Sequence, residues 1–251
     1  MKLLFLIICL ANFNISYGAN LTVKLSSLNW CPYVIENPDK NGVIQNIIEA
    51  AFYTQGYKIE TNIMPWDSAL SETKLGNYDA IFPADKTTER IKYFNFSAPI
   101  IRTSLVLITL KNSKIKYNKY DNLNMTYNEL KQYRFGVIRG YAYEKNFDER
   151  KDLRKIISTD EQSNMRKLKL KEIDIALIDK NVALYFIQKN PNEFEDTFTI
   201  LKPEIEISDL YMAFSKKALN SENKLKAFNK GLKEIKDNGL YDDILKKFQN
   251  P

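Results

Sequence analysis

The sequence predicts an α/β protein made of two units that face each other across a cleft. Three observations carry this. Strand-like and helix-like periods alternate through residues 21–82, a second βαβ-like run occupies residues 134–190, and the polar stretch SKIKYNKYDNLN lies between them. Parallel-leaning sheets of this kind carry helices on their faces, and the carboxyl ends of their strands open toward ligands.

MKLLFLIICLANFNISYG opens the chain with one charge, Lys2. An apolar run follows, and Ser16 and Gly18 then stand at the −3 and −1 positions of a small-residue cleavage site. The pattern is a secretory signal peptide over residues 1–18, too short and wrongly flanked for a membrane span, with cleavage after Gly18 and a soluble, exported product. Residues 21–26 alternate like a strand that ends in the turn Trp30-Cys31-Pro32-Tyr33. Gly42 precedes an amphipathic helix on which Ile44, Ile47, Ile48, Ala51 and Phe52 share a face, and Gly56 stops it. Residues 57–64 are the next strand. Pro65 starts a helix with Trp66, Ala69, Leu70 and Thr73 on one side, ending at Gly76. Ala80-Ile81-Phe82 is a third strand, after which Thr87 is the expected N-cap of a further helix with Arg90 in its first turn.

The second unit begins with a strand over 105–110. Past the polar linker, Thr126-Tyr-Asn-Glu129 has the form of a capping box for a short helix. Residues 134–138 are a strand, and Gly140 turns the chain into a helix over 143–147. Asp174-Ile-Ala-Leu-Ile-Asp179 is a buried strand bracketed by carboxylates, followed by a helix over 181–189 that ends at Asn190-Pro191. One more strand covers 210–214. Two helices close the chain, one lined by Leu225, Phe228, Leu232 and Ile235, the other by Leu240, Ile244, Leu245 and Phe248, with Gly239 between them.

Charge and composition narrow the function. The 37 Lys and Arg residues stand against 31 Asp and Glu, interspersed rather than blocked, which argues against nucleic acid as a partner. There is no His, and Cys31 is the only cysteine after the signal peptide, so neither a disulfide within the chain nor a metal site is expected, and no cofactor is implied. Cys31 is either a reactive thiol or simply a small half-buried residue. Arg90 raises a sharper question, because a cation in a first helical turn sits at the positive end of the dipole. An anion would resolve it: free first-turn N–H groups and a guanidinium can grip a carboxylate together. The alternative is a surface arginine paired with Glu89 or Glu60.

The stretch GNYDAIFPADKTTERIKYFNFSAPI resembles the hallmark of the family 3 extracellular solute-binding proteins, which collect polar amino acids for ABC importers. The resemblance continues through Trp30-Cys-Pro-Tyr33, Pro65-Trp66, Phe96-Ser97-x-Pro99, Gly136-Val137 with Gly140, Ile173-Asp174 through Asp179, and Asn238-Gly239, in order over residues 21–249. It implies a type II periplasmic-binding-protein-like fold of two lobes joined by a two-strand hinge, with crossings near 103–108 and 209–214. Lobe 1 would be residues 19–104 plus 215–251, and lobe 2 residues 105–214.

The same resemblance implies the site. Arg90 would hold the α-carboxylate of the ligand and Asp179, from the facing lobe, its α-ammonium; an N-cap of the helix after Asp179 is the alternative for that residue, and both can hold together. Trp30 and Trp66 would sandwich the ligand body, core packing being their other reading. Ala84, Asp85 and Thr87 lie in the loop that contributes further contacts, a loop one residue shorter here than in the best-known amino-acid binders. Asp85 faces the cleft or serves the turn. Tyr141 and Ala142 stand where small hydroxyl residues usually meet the carboxylate, so Tyr141 would shrink the site or change its ligand, and Ser27 replaces a common acid. The implied function is a periplasmic, monomeric, non-catalytic binding protein for a small zwitterion, working with an ABC permease of the inner membrane. Two alternatives remain. One is an enzyme of the cyclohexadienyl dehydratase type using a cleft carboxylate as general acid or base. The other is a sensory or partner-binding module without a transport role.

Overall fold

The computed structural model describes residues 21–37 and 39–249, so the expected signal peptide and its cleavage site lie outside the described residues. The strands are β1 (Leu21–Ser27), β2 (Tyr57–Ile63), β3 (Ala80–Ala84), β4 (Phe94–Phe96), β5 (Ile101–Leu110), β6 (Arg134–Ile138), β7 (Arg154–Ser158), β8 (Ile175–Asp179), β9 (Phe198–Ile200) and β10 (Glu206–Ser215). The helices are α1 (Val43–Tyr53), α2 (Trp66–Leu75), α3 (Leu123–Leu130), α4 (Lys145–Glu149), α5 (Glu161–Lys169), α6 (Lys180–Lys189), α7 (Pro191–Phe194), α8 (Ser221–Asp237) and α9 (Leu240–Gln249).

The strand order β2-β1-β3-β10-β5-β8-β6-β7 has a parallel unit at each end. β1 pairs in parallel with β2 and β3, and β6 pairs in parallel with β7 and β8. Between them β10 and β5 run antiparallel, with Leu210 opposite Ile101 and Glu206 opposite Leu105. The chain thus passes from one α/β lobe to the other along β5 and returns along β10. β5 also pairs with β8, placing Leu105 opposite Asp179.

Packing explains the helices. The face of α1 that the sequence predicts, Ile44, Ile47, Ile48, Ala51 and Phe52, is fully buried, and Phe52 meets Phe228 of α8 at 5.4 Å between ring centres. Burying each such side chain contributes about 1.5–3 kcal/mol. Gly231 lets α8 approach α1 closely, since a Cβ there would fall 1.9 Å from the carbonyl oxygen of Ala51. The second lobe packs Phe135, Tyr127 and Phe147 behind β6, with ring centres 5.4 Å apart for both Tyr127–Phe147 and Phe135–Phe147.

Three local expectations change. The helix after Thr87 is a single 3₁₀ turn over Arg90–Lys92, so almost no helix dipole is available there; β4 and its pairing with β10 take the chain instead. Thr126 does not start α3. The helix begins four residues after Lys119 with Asn122 as its cap, while Thr126 accepts the Tyr120 N–H from mid-helix and Glu129 takes Asn118 and Tyr120. β5 and β10 also start earlier than the strands expected at 105 and 210, because their first residues pair with each other rather than with a lobe.

Candidate functional site

A cavity of about 80 Å³ lies where the two lobes meet over β5 and β10. One water needs only about 10–15 Å³ on this measure, so the space suits a small molecule. Trp30, Trp66, Asp85 and Arg90 line it from the first lobe, Tyr141, Tyr143, Glu161 and Asp179 from the second, and Thr103, Glu206 and Ser208 from the two connecting strands.

Arg90 reaches this cavity from the 3₁₀ turn after β3. The hydroxyl of Thr87 accepts the Arg90 N–H at 3.2 Å, so Thr87 does cap the turn, although the turn is not an α-helix. The guanidinium is buried, with Nη1 donating to the carbonyl oxygen of Asp85 at 3.1 Å and lying 3.8 Å from the Asp85 carboxylate. Its carbon stands 5.3 Å over the Trp66 ring, a cation–π contact. Among the described residues, Nε and Nη2 donate to no acceptor, which leaves two N–H edges for a carboxylate. Burial lowers the pKa of Arg90 and the carboxylates of Asp85 and Asp148 counter it. Neither Glu89 nor Glu60 pairs with it at salt-bridge distance.

Asp85 sits deep in the fold but faces the cavity, where 34% of its side-chain surface stays open. Burial pushes its pKa up to about 6 against the pull of Arg90. Ala84 and Thr87 fall outside the lining: Ala84 ends β3 with its side chain packed against Leu28 and Trp66, and Thr87 serves the turn. Ser27, at the position of the expected acid, is wholly buried and donates its hydroxyl to the carbonyl oxygen of Phe82 at 2.5 Å.

Asp179 ends β8, caps α6 and lines the cavity. Its Oδ1 accepts the N–H groups of Asn181 at 2.9 Å and Val182 at 3.1 Å, capping α6. The same oxygen accepts the Tyr33 hydroxyl from the first lobe at 3.0 Å, and Asn181 Nδ2 donates to that hydroxyl at 2.9 Å. Oδ2 is buried and makes no well-formed hydrogen bond, although the Ser104 N–H of β5 approaches the carboxylate. Burial drives the Asp179 pKa up to about 6, with the Val182 N–H and the Tyr33 hydroxyl opposing. One further orphan lines the cavity, the indole N–H of Trp66, whose side chain is 7% exposed. A buried donor and a buried acceptor left unpaired each cost about 1–3 kcal/mol unless something fills them.

Tyr141 follows Gly140, whose positive φ of 76° turns the chain onto the first lobe; a Cβ on Gly140 would lie 3.5 Å from the Trp66 ring. The Tyr141 hydroxyl donates to Glu161 Oε1 at 2.7 Å. Glu161 is the site residue that the sequence patterns above pass over. It is the first residue of α5, and it is buried among Tyr141 and Trp30. Its pKa rises to about 7 because burial outweighs the Tyr141 hydrogen bond. The only cationic side chain of the lining is Arg90, while Asp85, Glu161, Asp179 and Glu206 are acidic. An arginine and carboxylates presented from opposite lobes can hold the two poles of one small molecule, and the excess of acids favours added positive charge.

A crevice of this kind between two lobes joined by a pair of strands defines a ligand-binding fold. The family model for bacterial extracellular solute-binding proteins, family 3, matches residues 25–251, and the chain belongs to that family. It is 27% identical over 244 residues to a probable histidine-binding protein of Campylobacter jejuni, covering 94% of this chain and 89% of that one. It is 27% identical over 183 residues to arginine-binding protein 1 of an Escherichia coli K12 ABC transporter, covering 71% and 69%. Among solved structures, the arginine-, lysine-, histidine-binding protein ArtJ of Geobacillus stearothermophilus superposes with a TM-score of 0.73 at 19% identity over 92% of this chain and 96% of that one, a likeness of fold. The fold is the two-lobed type II periplasmic-binding-protein fold, as the sequence predicts.

Proposed function

We propose that this protein captures a free amino acid in the interlobe cleft and presents it to an ABC permease of the inner membrane, without chemical turnover. Arg90 holds the α-carboxylate through Nε and Nη2, and Asp179 Oδ2 receives the α-ammonium. Trp30 and Trp66 hold the body of the ligand, Asp85 and Tyr141 shape its surroundings, and Ala84 and Thr87 support the loop without touching it. The lobes that close are residues 19–104 plus 215–251 and residues 105–214. The protein acts as a monomer in the periplasm after cleavage behind Gly18.

The observation that carries this reading is one cavity with Arg90 on one wall and the unpartnered Asp179 oxygen on the other. Charge-assisted bonds at both ends are worth about 1.5–3 kcal/mol each, so closure is favoured by a ligand that brings both charges. The names of the relatives, histidine- and arginine-binding, support a basic amino acid. Thermal-shift and calorimetric screening against the twenty amino acids tests the proposal. Stabilisation by an amino acid that disappears in Arg90→Ala supports it, and indifference to every amino acid overturns it. Turnover of prephenate or arogenate would instead favour the dehydratase.

A further inference from the structure

We infer that Glu161, held by Tyr141, is the charge-selecting residue of the cleft and receives the cationic end of a ligand side chain. This rests on the proposal that the cleft takes an amino acid, and it assigns the part of the ligand that Arg90 and Asp179 leave unread.

The charge inventory points there first. A zwitterion satisfies Arg90 with its carboxylate and Asp179 with its ammonium. Asp85 already lies 3.8 Å from Arg90. Glu206 is half-buried at the start of β10. Glu161 is different: it is 6% exposed, and among the described residues no Lys or Arg stands within salt-bridge distance of it. A buried carboxylate without a counter-ion is costly to ionise, and a cation entering the cavity removes that cost.

Local structure shows that Glu161 is not occupied elsewhere. The N-terminus of α5 is capped by Asp160, whose carboxylate accepts the Ser163 N–H at 2.8 Å, so the Glu161 side chain is free of that duty. It turns instead into the cavity, where the Tyr141 hydroxyl fixes Oε1 at 2.7 Å. Burial and the neighbouring Glu161 hold Tyr141 well above its ordinary pKa, so this hydroxyl remains a donor and does not compete for a cation. Trp30 of the facing lobe turns its indole N–H toward the same carboxylate, a neutral donor that leaves the charge of Glu161 without a counter-ion. The Trp66 N–H and Asp179 Oδ2, both buried without a well-formed hydrogen bond to the protein, belong to residues that line the same cavity.

Arginine and citrulline separate this role from the rest of the site, because they share the α-groups and chain length and differ in a charged guanidinium against a neutral ureido group. Titration calorimetry of the purified protein should show arginine preferred over citrulline by at least about tenfold, the size of one charge-assisted bond. In Glu161→Gln the arginine affinity should fall by about that factor while citrulline affinity stays within about twofold. Tyr141→Phe should keep most of the arginine preference, because the carboxylate remains. Equal losses for both ligands in Glu161→Gln would assign Glu161 a purely structural role and overturn the inference, as would an unchanged preference in that variant. A wild-type protein that prefers neutral or acidic amino acids also overturns it, while leaving the amino-acid-binding function standing. Wild-type protein that binds no amino acid at all overturns the function itself. Melting curves of both variants control for folding, and Glu161→Asp, which keeps the charge, should recover part of the arginine preference.

Discussion

The two walls of the cleft are built from different chemistry. The first lobe brings the cation Arg90 and two tryptophans, mounted on the turn after β1, the start of α2 and the 3₁₀ turn after β3. The second lobe brings the carboxylates Asp179 and Glu161 and two tyrosines, mounted on the end of β8, the start of α5 and the loop after β6. One wall therefore holds the cation of the cavity, beside Asp85 and two apolar rings, while the other holds carboxylates and hydroxyls without a cation. Neither wall alone carries both charges, and the basic amino acid proposed above would need the two together. The difference teaches that, in the binding mode proposed above, specificity comes from the two lobes acting together rather than from either one.

Breaking the anionic end should have the largest effect. Arg90→Ala removes two charge-assisted bonds of about 1.5–3 kcal/mol each. Calorimetry should therefore show affinity for every amino acid falling roughly a hundredfold or more. A loss of less than threefold would remove Arg90 from the first wall's role. Next comes Asp179→Asn, which keeps an oxygen to cap α6 but loses the charge; affinity should fall about tenfold or more with little change in melting temperature. Asp179→Ala adds the loss of the cap, worth about 1 kcal/mol, and should lower Tm by roughly 2–4 °C as well. If the Asn and Ala variants melt alike, the capping role is wrong.

The pH dependence sharpens the contrast further. Glu161 is pushed up to about 7 and Asp85 and Asp179 to about 6, all chiefly by burial. The groups facing Glu161 are Tyr141 and Tyr143 from the loop after β6, Asp160 from its own helix start, and Trp30 and Cys31 from the turn after β1. None of these is a cation. A bound cation lowers the carboxylate pKa below that value. Binding is therefore strongest above about pH 7, and affinity for a basic amino acid is lost as pH falls from about 7 toward 5. Calorimetry at pH 8, 7, 6 and 5 should show that fall, with the portion near pH 7 missing in Glu161→Gln. A flat profile would break the link between acidic wall and ligand charge.

The smallest effect belongs to the contact the walls make with each other. Tyr33→Phe deletes one hydroxyl that bridges Asp179 and Asn181. A bond of about 0.5–1.5 kcal/mol changes affinity about two- to tenfold. The unliganded protein should also become wider in small-angle X-ray scattering. An unchanged radius of gyration would mean that this bond does not hold the lobes together.

The two lobes also differed in how far the sequence exposed them. In the first, Gly42, Pro65, Gly76 and the apolar spacing of α1 and α2 mark the ends of those two helices, and Arg90 stands out because a cation near a turn start needs an explanation. Asp179 was equally legible, at the end of an apolar run with a helix behind it. Glu161 was not. The region KDLRKIISTDEQSNMRKLKLKEID holds few apolar residues because β7 is the last strand of the sheet and α5 buries only a narrow face with Met165 and Leu168. Edge elements show weak periodicity, since most of their surface meets water. The signal that remained was Asp160 followed by Ser163 and the pair Met165–Leu168, an N-cap ahead of a helical spacing. The helix after Thr87 was overcalled for the opposite reason: its cap residue is genuine, but pairing of β4 with β10 claims the chain after one turn.

β5 and β10 carry a consequence of their own. Points near an axle travel least when the doors swing. Thr103, Glu206 and Ser208 are seated on those two rails, so in the closure proposed above they would move least. Alterations there should change which guest first settles, whereas alterations at Arg90 or Glu161 change whether the jaws shut upon it.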